Sequence, residues 1–82
     1  MAKIEADDIV EALGGLDNIE EAEGCITRIR VSVLDSDLVC AKKLKSLGAF
    51  GVVQMGTAIQ VVVGPTADIV AGEIQDRIDA NE

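Results

Sequence analysis

"TRIRVSVL", residues 27–34, decides how the rest of the chain folds. Extended, it puts Ile29, Val31 and Val33 on one side and Arg28, Arg30 and Ser32 on the other. That two-residue period marks a strand buried on one face only. The stretch before it, "NIEEAEG" (18–24), alternates more weakly and predicts an edge strand running into a turn at Gly24. Further on, "GVVQMGTAIQVVVG" (51–64) predicts two strands around Gly56-Thr57, where glycine first in a two-residue loop suits a type II′ hairpin.

Helices fill the spaces between these strands. Asp8 with Glu11 three residues on forms a candidate capping box, and Ile9, Val10 and Leu13 supply one apolar face before Gly14-Gly15 ends the helix. "DSDLVCAKKLKSLG" (35–48) predicts a loop and a short helix, with Leu44 and Leu47 inward, its lysines outward and a stop at Gly48. A last helix starts at Pro65 or Thr66 and carries Ile69/Val70, Ile74 and Ile78 at helical spacing; Gly72 inside it costs roughly 1 kcal/mol relative to alanine. The predicted order is α-β-β-α-β-β-α. Hairpins imply antiparallel pairing, and helices with one apolar face each cover one side of a sheet. The expected fold is an α+β two-layer sandwich, a four-stranded antiparallel sheet with three helices on one face, formed by a single domain over residues 1–82.

Composition narrows the function classes. A chain of 82 residues buries roughly 60–65% of its unfolded surface, and 49% apolar residues among dispersed charges describe a globular chain. The net charge of −8 opposes a nucleic-acid surface and anionic lipid alike, and Phe50, the one aromatic residue, provides no base-stacking platform. "MAKIEADDIVEALGG" is too acidic for a secretory signal, and no apolar run approaches the roughly 20 residues of a spanning helix. The expectation is a cytoplasmic protein without direct membrane insertion. Cys25 and Cys40 are then free thiols rather than a disulfide, and they form no CxxC. Histidine is absent, which excludes Ser-His-Asp and Cys-His pairs within the chain and leaves too few ligands for a tetrahedral zinc site.

Against that acidic background "GCITRIR" (24–30) stands apart: from Ile4 to Ala41, Arg28 and Arg30 are the only cations. Nearby cations favour a thiolate, and arginine grips phosphate through two parallel hydrogen bonds. Gly24 lets backbone approach an anion, Thr27 offers a hydroxyl, and a turn with outward amides can cradle the same group. These pieces suit a cysteine that receives a phosphoryl group. On the residues alone a second reading stands beside it: an inert cysteine next to arginines that cover a solvated strand face.

The same stretch, continued as "NIEEAEGCITRIRVSVLD", resembles the phosphorylation-site signature of the B domain of enzyme II in the bacterial phosphoenolpyruvate-dependent sugar phosphotransferase system, glucose superfamily. Asn18 and Ile19 precede Cys25 at the family's spacing, Thr27 and Arg28 match its Cys-x-Thr-Arg core, and Ile29, Val31, Val33 and Asp35 complete the alternation and closing acid. "ALGGLDNI" and "LKSLGAFGVVQMGTAIQVVVG" extend the resemblance over about Ile9 to Ile78. It implies the same fold, four antiparallel strands with three helices on one face. Gly24, where β-glucoside-type relatives carry histidine, points to the glucose/N-acetylglucosamine branch. Cys40 stands where relatives place an Asp or Asn helix cap, a role cysteine fills poorly.

The resemblance implies a phosphotransferase. Cys25 is its phosphocysteine nucleophile, taking a phosphoryl group from the phosphohistidine of an enzyme IIA domain and passing it to N-acetylglucosamine or glucose held by the membrane enzyme IIC permease. Arg28 and Arg30 stabilise that charge; Gly24, Ile26 and Thr27 form the phosphoryl cradle and the docking rim, to which Met55 is a further candidate. No cofactor or metal is implied, the domain is expected to be monomeric, and it sits at the inner face of the cell membrane only through its IIC partner. The competing expectation is a small regulatory module that holds an anionic ligand through its arginine pair without catalysis.

Overall fold

In the computed structural model, which describes residues 5–81, the alternating stretches pair as two hairpins, β1 (Ile19–Cys25) with β2 (Arg28–Val33) and β3 (Gly51–Met55) with β4 (Ala58–Val62). The ends of the expected 1–82 domain, residues 1–4 and 82, lie outside the described residues. The hairpins join through β2 and β4, giving one antiparallel sheet in the order β1-β2-β4-β3. Period-two burial is sharpest in the central strands: Ile29, Val31, Val33, Ile59 and Val61 are each at most 2% exposed.

The edge strand β1 alternates weakly for a reason. Its register slips between Ile19, opposite Val33, and Glu21, opposite Ser32. This bulge lets Ile19 and Ala22, an odd number of residues apart, both face the core. The exposed edge is partly covered, because the Ala22 N–H donates to Gln75 Oε1 of the last helix at 3.0 Å.

Three helices, α1 (Ala6–Ala12), α2 (Ala41–Ser46) and α3 (Ala67–Ala80), complete the two-layer α+β fold. Ile9, Val10 and Leu13 of the first segment, Leu44 of α2, and Val70, Ile74 and Ile78 of α3 are buried against the sheet, forming one core. The capping box does not form: α1 begins earlier, with Glu5 at its N-cap and no side-chain cap bond. Its end is the expected one. Gly14, at φ +103°, donates to Glu11 O and Gly15 to Val10 O, the two bonds of a Schellman motif. Ile69, expected on the inner stripe of α3, is 67% exposed; Val70, with Ala67 and Ala71, takes the inward places in that turn. Leu47, just past the last residue of the short α2, packs inward against the core as expected while staying half-buried.

Both hairpins turn on two residues, and in both the first has positive φ: Gly56 at +62° and Ile26 at +39°. The predicted glycine-first hairpin is therefore present at 56–57. At the other hairpin the turn falls on Ile26-Thr27 and not at Gly24, which lies inside β1.

Candidate functional site

Residues opposite one another in an antiparallel sheet share a face. The helix-free face is thus built in rows. Cys25, Arg28, Val62 and Gly51 form the row nearest the β1–β2 turn; Glu23, Arg30, Gln60 and Val53 form the next; Glu21, Ser32, Ala58 and Met55 form the third. Cys25 is exposed and faces Arg28 across the closing pair of its hairpin, an arrangement that holds Cβ atoms about 5 Å apart. Arg30 is two residues further along the same face. The sheet register brings Cys25, Arg28 and Arg30 together, and Ile26 and Thr27 form the tip beside them.

That tip is tied down from one side and strained at the other. The Thr27 carbonyl accepts from the N–H groups of Val63 and Gly64, both at 3.0 Å, binding the loop to the connection leading into α3. Ile26 is a β-branched residue held in the left-handed region, and it is 83% exposed. Such a conformation costs of order 1–3 kcal/mol and is found where surrounding structure imposes it, often at functional sites.

Gly24 has a packing reason to be glycine. A Cβ there would lie 2.7 Å from Asp68 Cα and closer still to that residue's carboxylate. The first turn of α3 occupies the space a side chain would need. At the far end of the hairpin the signature residues Asn18 and Asp35 meet each other. Asn18, 4% exposed, donates through Nδ2 to the Leu13 and Asp35 carbonyls at 2.7 and 3.0 Å and accepts the Asp35 N–H at 2.9 Å. It joins the end of α1 to the end of β2 and so anchors the strand that carries both arginines.

The electrostatics of the face depend on what the arginines do not touch. Among the described residues, Lys43 pairs with Glu11 and Arg77 with Asp7, whereas neither Arg28 nor Arg30 has a carboxylate within 4.0 Å. Arg28 Nη1 instead donates to the neutral Gln60 Oε1 at 2.9 Å. Arg30 and Gln60, with Glu21, Glu23 and Ser32, line a shallow depression of about 260 Å³ in the next rows; Cys25 does not line it. Among the described residues no cluster of three or more Cys, Asp or Glu is placed to hold a metal.

Met55 does not belong to the rim of Cys25. It pairs with Ala58 in the third row, at the opposite end of the sheet, about 13 Å away along the strands and across them as well. Phe50, 79% exposed, lies at the same end of the sheet as the Ile26-Thr27 tip but beside the opposite edge strand: its N–H is on Val62 O at 2.8 Å and its ring borders Gly64, which donates to the Thr27 carbonyl. Cys40 lies at the start of α2, exposed, with no side-chain bond to the helix N–H groups.

The sequence model described as "phosphotransferase system, EIIB" matches residues 7–39. The N-acetylglucosamine-specific EIIB component of the PTS system of Streptomyces coelicolor is 60% identical over 73 residues, covering 89% of this chain and 95% of that protein. The glucoside-specific EIICBA component of the PTS system of Staphylococcus carnosus is 43% identical over 72 residues, which are 88% of this chain and 10% of that protein. Among solved structures, one domain of the PTS system IIabc component from Clostridium difficile superposes with a TM-score of 0.74 at 24% identity, covering 89% of this chain and 77% of that one. At that identity the superposition speaks for the fold. Among the described residues no helix is long and apolar enough to cross a membrane.

Proposed function

Because this chain belongs to the EIIB family of the phosphotransferase system, and is thereby a phosphotransferase component of sugar uptake, we propose that Cys25 is its phosphoryl carrier. The observation that carries the assignment is positional: one thiol lies exposed at the tip of the face, opposite Arg28, while the other sits at a helix start without an arginine beside it.

The chemistry proceeds in two displacements. The Cys25 thiolate attacks the phosphorus of a phosphohistidine on an A domain. An S–P bond forms, the P–N bond breaks, and the imidazole nitrogen leaves with the electron pair. A sugar hydroxyl then attacks the phosphocysteine, handing its proton to a base of the sugar-binding C partner, and the thiolate departs. Each step moves negative charge across a small space, so catalysis is mostly positioning and charge stabilisation. Arg28 and Arg30 supply that stabilisation with their donors not tied up in a direct ion pair among the described residues, although Glu23 stands opposite Arg30 in the sheet. Thr27 and the hairpin backbone border the phosphoryl site, and Gly24 lets α3 close against it. Ile26 and Phe50 form an apolar rim on which the A domain docks.

The sugar is N-acetylglucosamine, carried over from the Streptomyces coelicolor relative. The letters of the EIICBA relative support A and C domains as the two partners. The domain meets the membrane only through the C partner and acts as a monomer.

Incubation with a phosphorylated A-domain protein, followed by peptide mass analysis, tests the assignment. The expected result is one phosphoryl group on Cys25, lost in Cys25→Ser and retained in Cys40→Ser. Phosphate on Cys40, or none on the wild type, would defeat the proposal and leave the non-catalytic anion-binding reading in its place.

A further inference from the structure

We propose that Gln60 is a positioning residue for Arg28, orienting the guanidinium through a neutral hydrogen bond that leaves its charge free for the phosphoryl group. The inference rests on Cys25 being the phosphoryl acceptor.

Three observations converge on it. First, the one side-chain hydrogen bond of Arg28 among the described residues goes to Gln60 Oε1, at 2.9 Å. Arg28 is exposed, and an unrestrained arginine on a strand surface samples many rotamers. Gln60 lies half-buried on the central strand β4, directly opposite Arg30 and diagonal to Arg28. The diagonal backbone separation of about 7–8 Å is one that two long side chains bridge. The more restrained partner thus holds the freer one.

Second, the acceptor is neutral although acids abound. The chain has 15 carboxylate side chains against 7 cations, and Lys43 and Arg77 are both paired with them. Glu23 already faces Arg30 from β1; a carboxylate at position 60 would orient Arg28 equally well, and it would set a second negative charge beside the same two arginines. An amide fixes direction without cancelling charge, which is what a site that must attract and stabilise a phosphoryl group requires.

Third, the contact uses only one end of the guanidinium. Nη1 is engaged by Gln60, leaving the Nε–Nη2 edge, whose two parallel N–H donors match the spacing of phosphoryl oxygens.

A double-substitution cycle tests this on the full chain. The single-turnover rate of Cys25 phosphorylation by a phosphorylated A-domain protein is measured in wild type, Gln60→Leu, Gln60→Glu and Arg28→Ala, and in Arg28→Ala combined with Gln60→Leu. Gln60→Leu should slow transfer about tenfold, short of the roughly hundredfold that a 1 Å misplacement can produce. It should have no effect when Arg28 is already alanine. Gln60→Glu, although it keeps an acceptor, should be slowed at least as much. A structural role alone would not give this pattern, and thermal unfolding should be nearly unchanged in all single variants. In parallel, ¹⁵N relaxation of the Arg28 Nε–H in the free protein should show a side chain ordered in wild type and mobile in Gln60→Leu. Unchanged Arg28 order, a wild-type or faster rate in either Gln60 variant, or an equal Gln60→Leu loss without Arg28 would overturn the proposal. The relaxation measurement needs no phosphoryl donor, so failure of the contact is separable from failure of the Cys25 assignment.

Discussion

Replacing Ile26 by glycine should make the domain more stable and a worse phosphoryl acceptor. The residue is 83% exposed, so the fold loses little buried area when its side chain is removed. What the fold sheds is strain. Ile26 sits at φ +39°, and an L-residue in the left-handed region costs about 1–2 kcal/mol, more readily for a β-branched one. Glycine is free of that penalty but loses more backbone entropy on folding, about 0.5–1 kcal/mol. The net gain is about 0.5–1 kcal/mol, which for a domain of this size raises Tm by about 2–8 °C. Docking moves the other way. Burying an isoleucine against a partner stabilises by about 1.5–3 kcal/mol, so its loss should weaken the complex with the A domain about ten- to 150-fold. Thermal unfolding and a titration of single-turnover rate against phosphorylated A-domain concentration read the two effects separately. The wild-type sister turn is the internal reference, since Gly56 holds the corresponding place at φ +62°. A lower Tm in Ile26→Gly together with unchanged affinity would refute both the strain and the docking role.

The remaining expectations concern the supports of the site. Asn18→Ala removes three hydrogen bonds that join Leu13 and Asp35; it should lower stability by about 2–4 kcal/mol, read as a fall in denaturant midpoint at constant m-value. Gly24→Ala forces its new methyl group against the Asp68 backbone; a loss of about 1–3 kcal/mol should accompany amide shifts at the start of α3 in NMR spectra. Arg28→Lys and Arg30→Lys keep charge but lose the guanidinium fork. Each should slow sugar phosphorylation about ten- to several-hundred-fold, unevenly between loading from the A domain and discharge to sugar, because Arg28 faces Cys25 and Arg30 lies a row beyond; wild-type rates in both steps for both variants would reduce the arginines to surface cover.

What the sequence by itself determined about this protein is local. Alternation in 27–34 settles which face of β2 is buried because neighbouring side chains on a strand must point to opposite sides. Gly14-Gly15 and Gly56 mark a helix end and a turn because positive φ is cheap only for glycine. The cysteine and its two arginines were legible for the same reason: they are neighbours along one hairpin, and pairing across a two-residue turn follows from chain geometry. Tertiary structure decided the rest. The order β1-β2-β4-β3 sets the β3–β4 turn at the opposite end of the sheet from Cys25, so Met55 is carried away from it while Phe50 lies at the end that holds the Ile26-Thr27 tip. The bulge in β1, the start of α3 against Gly24, and the failure of the Asp8 capping box depend on how elements pack. Gln60 lies 32 residues from Arg28 in a strand whose alternation shows only that it faces outward. Which strand it meets, and in what register, is chosen by burial of Ile29, Val31, Ile59 and Val61 in one core, an energy summed over contacts distant in sequence that no short stretch contains.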